Sequence, residues 1–596
     1  MSDFLYSSKI KKLGQLTGLI HDIYQDDPPE TTEFHGNWGS LAVSRNLYNG
    51  FQPFENNEHL VVVIGGPVLT YQNNDFLTGD KSNVGSLSLY ERFNSENFKW
   101  DEDLSGPFTV LIVDKLNSKI QCITDLMLSI PVYKYVDKDL IALGTHIDAL
   151  AKSCGQRDEI DKVSLTDFIL NGVITFPYTA YKKLRQCYPA AIHEFDPNSK
   201  PVSELAPELY WEPMEKIDYK NIDEAARDLR KAVSVYISRV TEGMDKVASF
   251  LSGGEDSRVV AGMLPNHLKK EAFVFLDYMN REGKIAQKIS KAYDLQLNIM
   301  FRKPGYYLNI LPEASDLVGS GQQYLNAHTL GFHKECKLAE YDAVFGGFIA
   351  NALLKGYDSR KNKLQKKLSA IYEFITVEEG HSKPVQSDFF KKNVLLEIDR
   401  RRSEFLSYLR KFRNNSLHEW FHNWPRSMGQ ANPGYLVNRR LFRIYEPFLS
   451  NEVIKLAAGT PMPWKLNRRL FHKAMRPYLK PAKWVPHGKG WLPYLSWWSN
   501  IPIRIFISAC RRTGRLTGLI TGYHGSWGER SRLLDSLNTE KILSSFGFEM
   551  NALEYVIQEP ADIDKLTRKQ QFNLLQTLYL LNRKTGEKKE VFFHAD

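Results

Sequence analysis

The stretch "ASFLSGGEDSRVVAGML" (residues 248–264) decides the fold. An apolar run, "KVASFLS" (246–252), stops at Gly253 and Gly254, and after Asp256 and Ser257 an apolar helical pattern begins. This reads as a strand, a tight turn and a helix. The alternation continues outward. Upstream, "NIDEAARDLRKAVSVYISRV" (221–240) repeats its apolar residues at helical spacing. Downstream come a second strand, "EAFVFLD" (271–277), a helix, "KIAQKISKAY" (284–293), and a third strand, "QLNIMF" (296–301). Strands alternating with helices predict a parallel sheet in an α/β domain.

In a parallel sheet, ligands sit beyond the carboxyl ends of the strands. A strand-to-helix turn there presents backbone N–H groups, and the helix dipole favours an anion. Gly253 and Gly254 let the backbone approach that anion, and Ser252 and Ser257 add hydroxyl donors. Asp256 repels a phosphate unless it holds Mg²⁺, which bridges carboxylate and phosphate oxygens. The turn lacks the spacing of a Walker A loop. ATP and Mg²⁺ are the expected cofactors.

The chain has 596 residues, 43% hydrophobic and 25% charged, which is a globular composition too long for one core. A net charge of +9 over this length is mild. It suits an anionic ligand and does not by itself call for nucleic acid. The cysteines Cys122, Cys154, Cys187, Cys336 and Cys510 are dispersed without a C-x-x-C pair, and are expected as thiols in a cytoplasmic setting. The start, "MSDFLYSSKIKKLGQLTG", lacks the apolar core of a signal peptide, and no apolar run is long enough to span a bilayer. The richest candidate, "WLPYLSWWSNIPIRIFISACRR" (491–512), is broken by Pro493 and Pro502 and reads as buried or partner-facing.

Residues 1–200 have the rhythm of an antiparallel β-rich domain. "HLVVVIGG" (59–66), "PFTVLIVD" (107–114), "KIQCITD" (119–125) and "IPVYKYV" (130–136) follow one another with turn residues between. "LTDFILNGVI" (165–174) begins a helical pattern, and the proline-rich "FDPNSKPVSELAPELYWEPMEK" (195–216) reads as a linker. A domain at 215–500 would hold the parallel sheet, mainly helical after about residue 365. Residues 501–596 form a helical extension whose "RKQQFNLLQTLYLLNRK" (568–584) packs either a partner or the protein's own core.

Ser252, Gly253, Gly254, Asp256 and Ser257 resemble the pyrophosphate loop, S-G-G-x-D-S, of the ATP pyrophosphatase superfamily. The flanking sequence resembles the asparagine synthetase family. "YEPFLS" (445–450) is similar to its "PFLD" segment, with Ser450 in place of Asp. "WVPHGKGW" (484–491) is similar to its "R-x-K-x-x-F" loop, which implies Lys489 as the catalytic lysine. "VFGGFIAN" (344–351) stands where its second glycine-rich motif would be, implying Gly346 and Gly347 at the nucleotide. There the family's metal-binding aspartate falls on Asn351 and a catalytic acid on Phe348. Leu276, ending the second strand, is the implied backbone contact for adenine. "VVVIGGPVLTY" (61–71), "LSGPFTVLIVD" (104–114) and "CITDLMLSIPVYKY" (122–135) resemble the class II amidotransferase domain of the same family. Its N-terminal cysteine is replaced by Ser2 and its oxyanion Asn-Gly by Gly65-Gly66.

The resemblance implies an ATP-dependent, AMP-forming, amide-forming ligase that activates a carboxylate as an acyl-adenylate and does not hydrolyse glutamine. In these respects it resembles the β-lactam synthetase branch. The acyl substrate would be a small molecule, a sugar acid or a peptide. Two other readings stand beside it: an amidotransferase fed by ammonia or a partner glutaminase, and a weakly catalytic nucleotide-binding scaffold. A homodimer or a partner protein is left open. Tyr278, Glu282 and Tyr445 are candidates to deprotonate the amine. "HEWFH" (418–422) matches a zincin signature, with His418 and His422 as ligands and Glu419 as base, but the bland reading is a packed aromatic helix. His333 and Cys336 in "HTLGFHKEC" (328–336) are too few for zinc, and the basic "RKNKLQKK" (360–367) reads as a solvated helical face.

Overall fold

The computed structural model describes residues 2–79, 83–95, 97–216, 218–356, 385–516, 553–554, 556–557 and 563–582. The basic stretch 360–367 and most of the expected C-terminal extension lie outside them. Two antiparallel sheets fill the N-terminal part. One has the order Arg185–Gln186, β7 (Tyr133–Asp137), β8 (Leu140–Gly144), β1 (Phe4–Ser7), β3 (Gly39–Ser44), β2 (Thr31–Gly36). The other runs from Ser203–Glu204 through β9 (Ala191–Asp196), β6 (Lys119–Thr124), β5 (Phe108–Asp114) and β4 (His59–Gly65) to Phe54–Glu55, with Glu208–Leu209 also on β9. The four strands expected from alternating apolar runs are all present. The expected linker is not one: despite its prolines, residues 195–216 supply the end of β9 and two short edge strands paired to it. Pro197, Pro201, Pro207 and Pro213 all fall between or after these strands, where their missing N–H removes no ladder hydrogen bond.

The C-terminal part is built on a five-stranded parallel sheet, ordered β12 (Gln296–Phe301), β11 (Lys269–Leu276), β10 (Lys246–Phe250), β13 (Ala343–Phe345), β14 (Ile444–Tyr445). Strand alternation divides its residues between two cores. Val247 and Phe345 face one way, onto α2 (Ile222–Val240), α3 (Asp256–Met263) and α8 (Arg469–Leu479). Ala248 and Val344 face the other, into a cluster shared with Phe4, Leu60 and Leu111 of the antiparallel sheets. Covering on both faces is what a parallel sheet requires. Helix α7 (Asn432–Leu441) and its neighbours join the two halves.

The terminal helix α9 (Arg568–Asn582) packs the protein's own core. Leu574 and Leu578 are fully buried beside α1 (Lys162–Asn171) and α5 (Leu311–Val318). The Asn573 amide donates to the Phe168 carbonyl (3.2 Å) and the Gln576 amide to that of Gln322 (2.6 Å). Among the described residues no helix is long and apolar enough to cross a membrane. All five cysteines are free.

One buried charge cluster pins the two halves together. Asp3, just ahead of β1, accepts from Arg439 (3.0 Å) and Arg440 (2.7 Å) of α7, and from the hydroxyls of Thr145 (2.8 Å) and Tyr24 (3.1 Å). Burial raises the Asp3 carboxyl, but the two guanidiniums more than reverse this and hold it far below the usual range. Removing one partner of such a cluster strands the remaining charges. Asp3→Asn is therefore expected to destabilise the fold by about 3 kcal/mol or more, read as a lower denaturant midpoint. The Asp3 contribution is present above the unfolded carboxyl's pKa, about 3.9, and is lost only as pH falls toward its depressed folded value. An unchanged midpoint in Asp3→Asn at neutral pH would contradict this account.

Candidate functional site

The site forms where β10 and β13 end side by side. The chain leaves β10 through Leu251, turns at Ser252–Glu255 and enters α3 at Asp256. Val259 and Val260 bury the first turns of α3, fixing the direction of its N-terminus. Inside the turn, the Ser257 hydroxyl accepts from the Ser252 amide (3.2 Å), and the Ser252 hydroxyl accepts from the Gly254 amide (3.1 Å). The Gly253 amide donates to Glu282 (3.3 Å), in the first turn of α4 (Arg281–Ala292). The expected loop residues are thus gathered in one place.

A second loop is fastened to the first. The Gly488 amide donates to the Gly253 carbonyl (3.0 Å). The fully buried Arg258 donates to the carbonyls of Val485 (2.7 Å), Pro486 (2.6 Å) and Gly253 (3.3 Å). His487 stacks on Trp491 at 4.4 Å, and Arg468 covers the Trp491 ring at 3.7 Å. Burial pushes His487 down to about 3, so its imidazole is neutral and its Nδ1 accepts from the Lys489 amide (3.0 Å). Lys489 therefore rides, exposed, on a loop locked against the Gly-Gly turn.

The third segment follows β13. Gly346 and Gly347 are indispensable there for contacts with carboxylates. A Cβ on Gly347 would lie 2.9 Å from the Asp256 Cβ, and one on Gly346 would lie 2.1 Å from Glu446 Oε1. Asn351 is exposed on the short helix α6 (Ala350–Leu354). One turn later the buried Lys355 returns to the loop, where its ammonium pairs with Asp256 and, at 2.7 Å, with Glu255. Arg468 lies 3.3 Å from the other Glu255 oxygen. Burial raises the Glu255 carboxyl, but Arg468 and Lys355 bring it well below the usual range. Asp256 is raised by burial and by the charge of Glu255, against the pull of Lys355.

These residues do not fit a protein-held Mg²⁺. Asp256 already carries an ammonium, Asn351 is neutral and exposed, and among the described residues no group of three or more His, Cys, Asp or Glu is placed to ligate a metal. The zincin reading fails likewise: Glu419 is fully buried and paired with Lys465 at 2.7 Å.

A cavity of about 270 Å³ opens beside the turn. Its lining includes the polar Ser252, Glu282 and Glu446 and the aromatic Phe275, Phe348 and Tyr435. Leu276 is not at the cavity; it is buried in the core, its carbonyl accepting from the Arg302 amide (2.8 Å). Tyr278 is 40% exposed, and Tyr445 is buried against Tyr48 and Phe345. Glu446 Oε2 accepts from the Phe348 amide (2.8 Å), and burial raises its carboxyl to about 8. Lys355, Arg468 and Arg258 carry no signal in the sequence that singles them out, and the sequence marks Glu446 only as a third ligand for the zincin reading. The one local signal was Glu446, a lone acid in the apolar run "RIYEPFL" at a parallel strand's carboxyl end.

Residues 228–499 match the family model for asparagine synthase, and residues 40–211 match that for a glutamine amidotransferase domain. No curated protein matches the chain. Among solved structures it is similar to glutamine phosphoribosylpyrophosphate amidotransferase from B. subtilis complexed with ADP and GMP, at 12% identity and a TM-score of 0.23. That likeness covers 42% of this chain and 61% of the other, so the chain spans less than two thirds of that relative. A structure described as the allosteric regulatory enzyme of purine biosynthesis is similar at 12% identity and a TM-score of 0.22, covering 47% of this chain and 67% of that one. The strand–turn–helix site lies inside the synthase match and the two antiparallel sheets span the amidotransferase match. The chain thus carries an asparagine synthase-like domain behind an amidotransferase-like N-terminal domain.

Proposed function

We propose that the protein activates a substrate carboxylate with ATP as an acyl-adenylate, releasing pyrophosphate, and couples it to an amine, releasing AMP, without hydrolysing glutamine. The observation that carries this reading is the docking of the Lys489 loop onto the Ser252–Ser257 turn through Gly488 and Arg258. A turn at a helix N-terminus suits the β- and γ-phosphates. A carboxylate oxygen attacks the α-phosphorus, and the bond to the β-bridging oxygen breaks. Negative charge then grows between the phosphates, where a lysine stabilises the transition state more than the ground state. Lys489 is assigned that role. The amine nitrogen next attacks the acyl carbon and AMP leaves.

The amine must lose a proton in that second step. Glu446 is assigned as its acceptor, because it is a buried carboxyl in the cavity lining, pushed up to about 8. It takes over from the acid missing at Phe348. On the glutaminase side, Ser2 is fully buried and its carbonyl is held by Arg439 (2.6 Å). That packing supports a retained scaffold whose amine comes from the substrate. The acyl substrate class stays a carboxylate-bearing small molecule, sugar acid or peptide.

Three expected outcomes test this reading. Incubated with ATP and pools of carboxylate and amine substrates, the protein yields AMP and pyrophosphate, and Gly347→Ala abolishes both by driving a Cβ into Asp256. ADP as the product would refute the adenylation step. With glutamine as the sole nitrogen donor, no glutamate is released; its release would overturn the scaffold assignment. The coupling rate rises with pH through about 8, as the Glu446 carboxyl ionises. In Glu446→Gln that limb disappears and the rate falls by about 10²–10⁴-fold, while ATP–pyrophosphate exchange persists. A rising limb retained in Glu446→Gln would remove Glu446 from the step.

A further inference from the structure

We propose that Lys355 stands in place of a protein-held magnesium ion, its ammonium supplying the fixed positive charge that meets the polyphosphate at the Gly253–Gly254 turn. This rests on the reading of that turn as a polyphosphate cradle. The first argument is position. Asn351, a neutral side chain, is exposed on α6, whereas Lys355, one helical turn further, is 7% exposed and reaches the Asp256 carboxylate. Asn351 offers no charge to a metal, and a cation arrives from the end of the same helix to take both Glu255 and Asp256.

The second argument is charge balance. Glu255 and Asp256 bring two negative charges, and Lys355 and Arg468 bring two positive ones. The cluster is neutral as folded. A divalent ion entering beside Asp256 would meet the ammonium already there and repel Arg468 as well. The Lys355 stem is fixed too: its ammonium lies 4.1 Å over the Phe471 ring, and Gly347 packs on the opposite flank of Asp256. An ammonium has three N–H donors. Two carboxylates engage it, and its third N–H is assigned to a phosphate oxygen in place of the Phe471 ring face. A lysine held this way arrives already desolvated and oriented, so the cradle is complete before nucleotide binds.

The experiment is equilibrium binding of inorganic pyrophosphate and of ATP to the full chain, once in EDTA and once in excess Mg²⁺, with a parallel titration of Mn²⁺ alone followed by its paramagnetic signal. The wild type is expected to bind pyrophosphate with the same affinity in both buffers and to hold no Mn²⁺ that Asp256→Asn loses. Lys355→Met is expected to weaken pyrophosphate binding in EDTA by about tenfold or more and to regain part of it in Mg²⁺, because Asp256 is then released as a ligand. Lys355→Arg, which keeps the charge, is expected to retain binding in EDTA. Wild-type pyrophosphate binding that depends on Mg²⁺ by about tenfold or more, or Mn²⁺ held by the wild type and lost in Asp256→Asn, would overturn the substitution and leave the cradle standing. Failure of both pyrophosphate and ATP to bind in either buffer would overturn the cradle itself, and this proposal with it.

Discussion

Strands β10 and β13 are parallel neighbours, so the chains leaving them must pass each other at their carboxyl ends. They pass with the Gly347 backbone against Asp256, while the Gly346 backbone meets Glu446 at the end of the neighbouring β14, at separations that exclude any side chain. This close approach sets the rest of the site. It turns α6 back toward the turn, so that Lys355 meets Glu255 and Asp256. It also carries the Phe348 amide onto Glu446, which fixes a carboxyl at the mouth of an aromatic cavity. Two glycines that look like a phosphate-binding pair thus serve to admit two carboxylates.

The cost of burying those carboxylates is met in two different ways. Glu255 and Asp256 are offset by Lys355 and Arg468 and remain within a charged network. Among the described residues Glu446 is met by one backbone N–H and by no ion pair, so burial favours its neutral form near pH 7. Environments that push titratable groups apart are the usual basis for dividing acid–base work from charge stabilisation. Arg258 links these environments to the Lys489 loop, since three carbonyls from two loops converge on its guanidinium. Its charge is spent on backbone dipoles, and so it fixes geometry rather than adding to the anion site.

The parts legible in the sequence are those written in local pattern. The turn from Ser252 to Ser257 declares itself by the switch from strand to helix period, and β4, β5, β6 and β7 by alternation and turn spacing. What stayed hidden depends on tertiary neighbours. Lys355 ends an apolar helix that in sequence could face anywhere. Arg258 looks like one more residue of an amphipathic helix, and Arg468 is one of two adjacent arginines. Residues 195–216 were misread because proline and charge mark linkers and edge strands alike, and only pairing with β9 separates them. The terminal helix α9 offered no polar face to show what it packs, because its core neighbours come from residues more than 250 positions earlier.

The N-terminal half bears on the site through α7. This helix places Tyr435 on the cavity wall and, one turn later, sends Arg439 and Arg440 into Asp3. A movement that opened the region around Ser2 would have to separate a buried carboxylate from two guanidiniums and shift the helix that shapes the cavity. Tyr48 adds a second tie, its hydroxyl donating to the Ile444 carbonyl (2.7 Å) just before Glu446. An amidotransferase-like domain whose Ser2 is buried therefore still has a physical task. It holds α7 and β14 in register, and with them Tyr435 and the Glu446 carboxyl in the cavity lining.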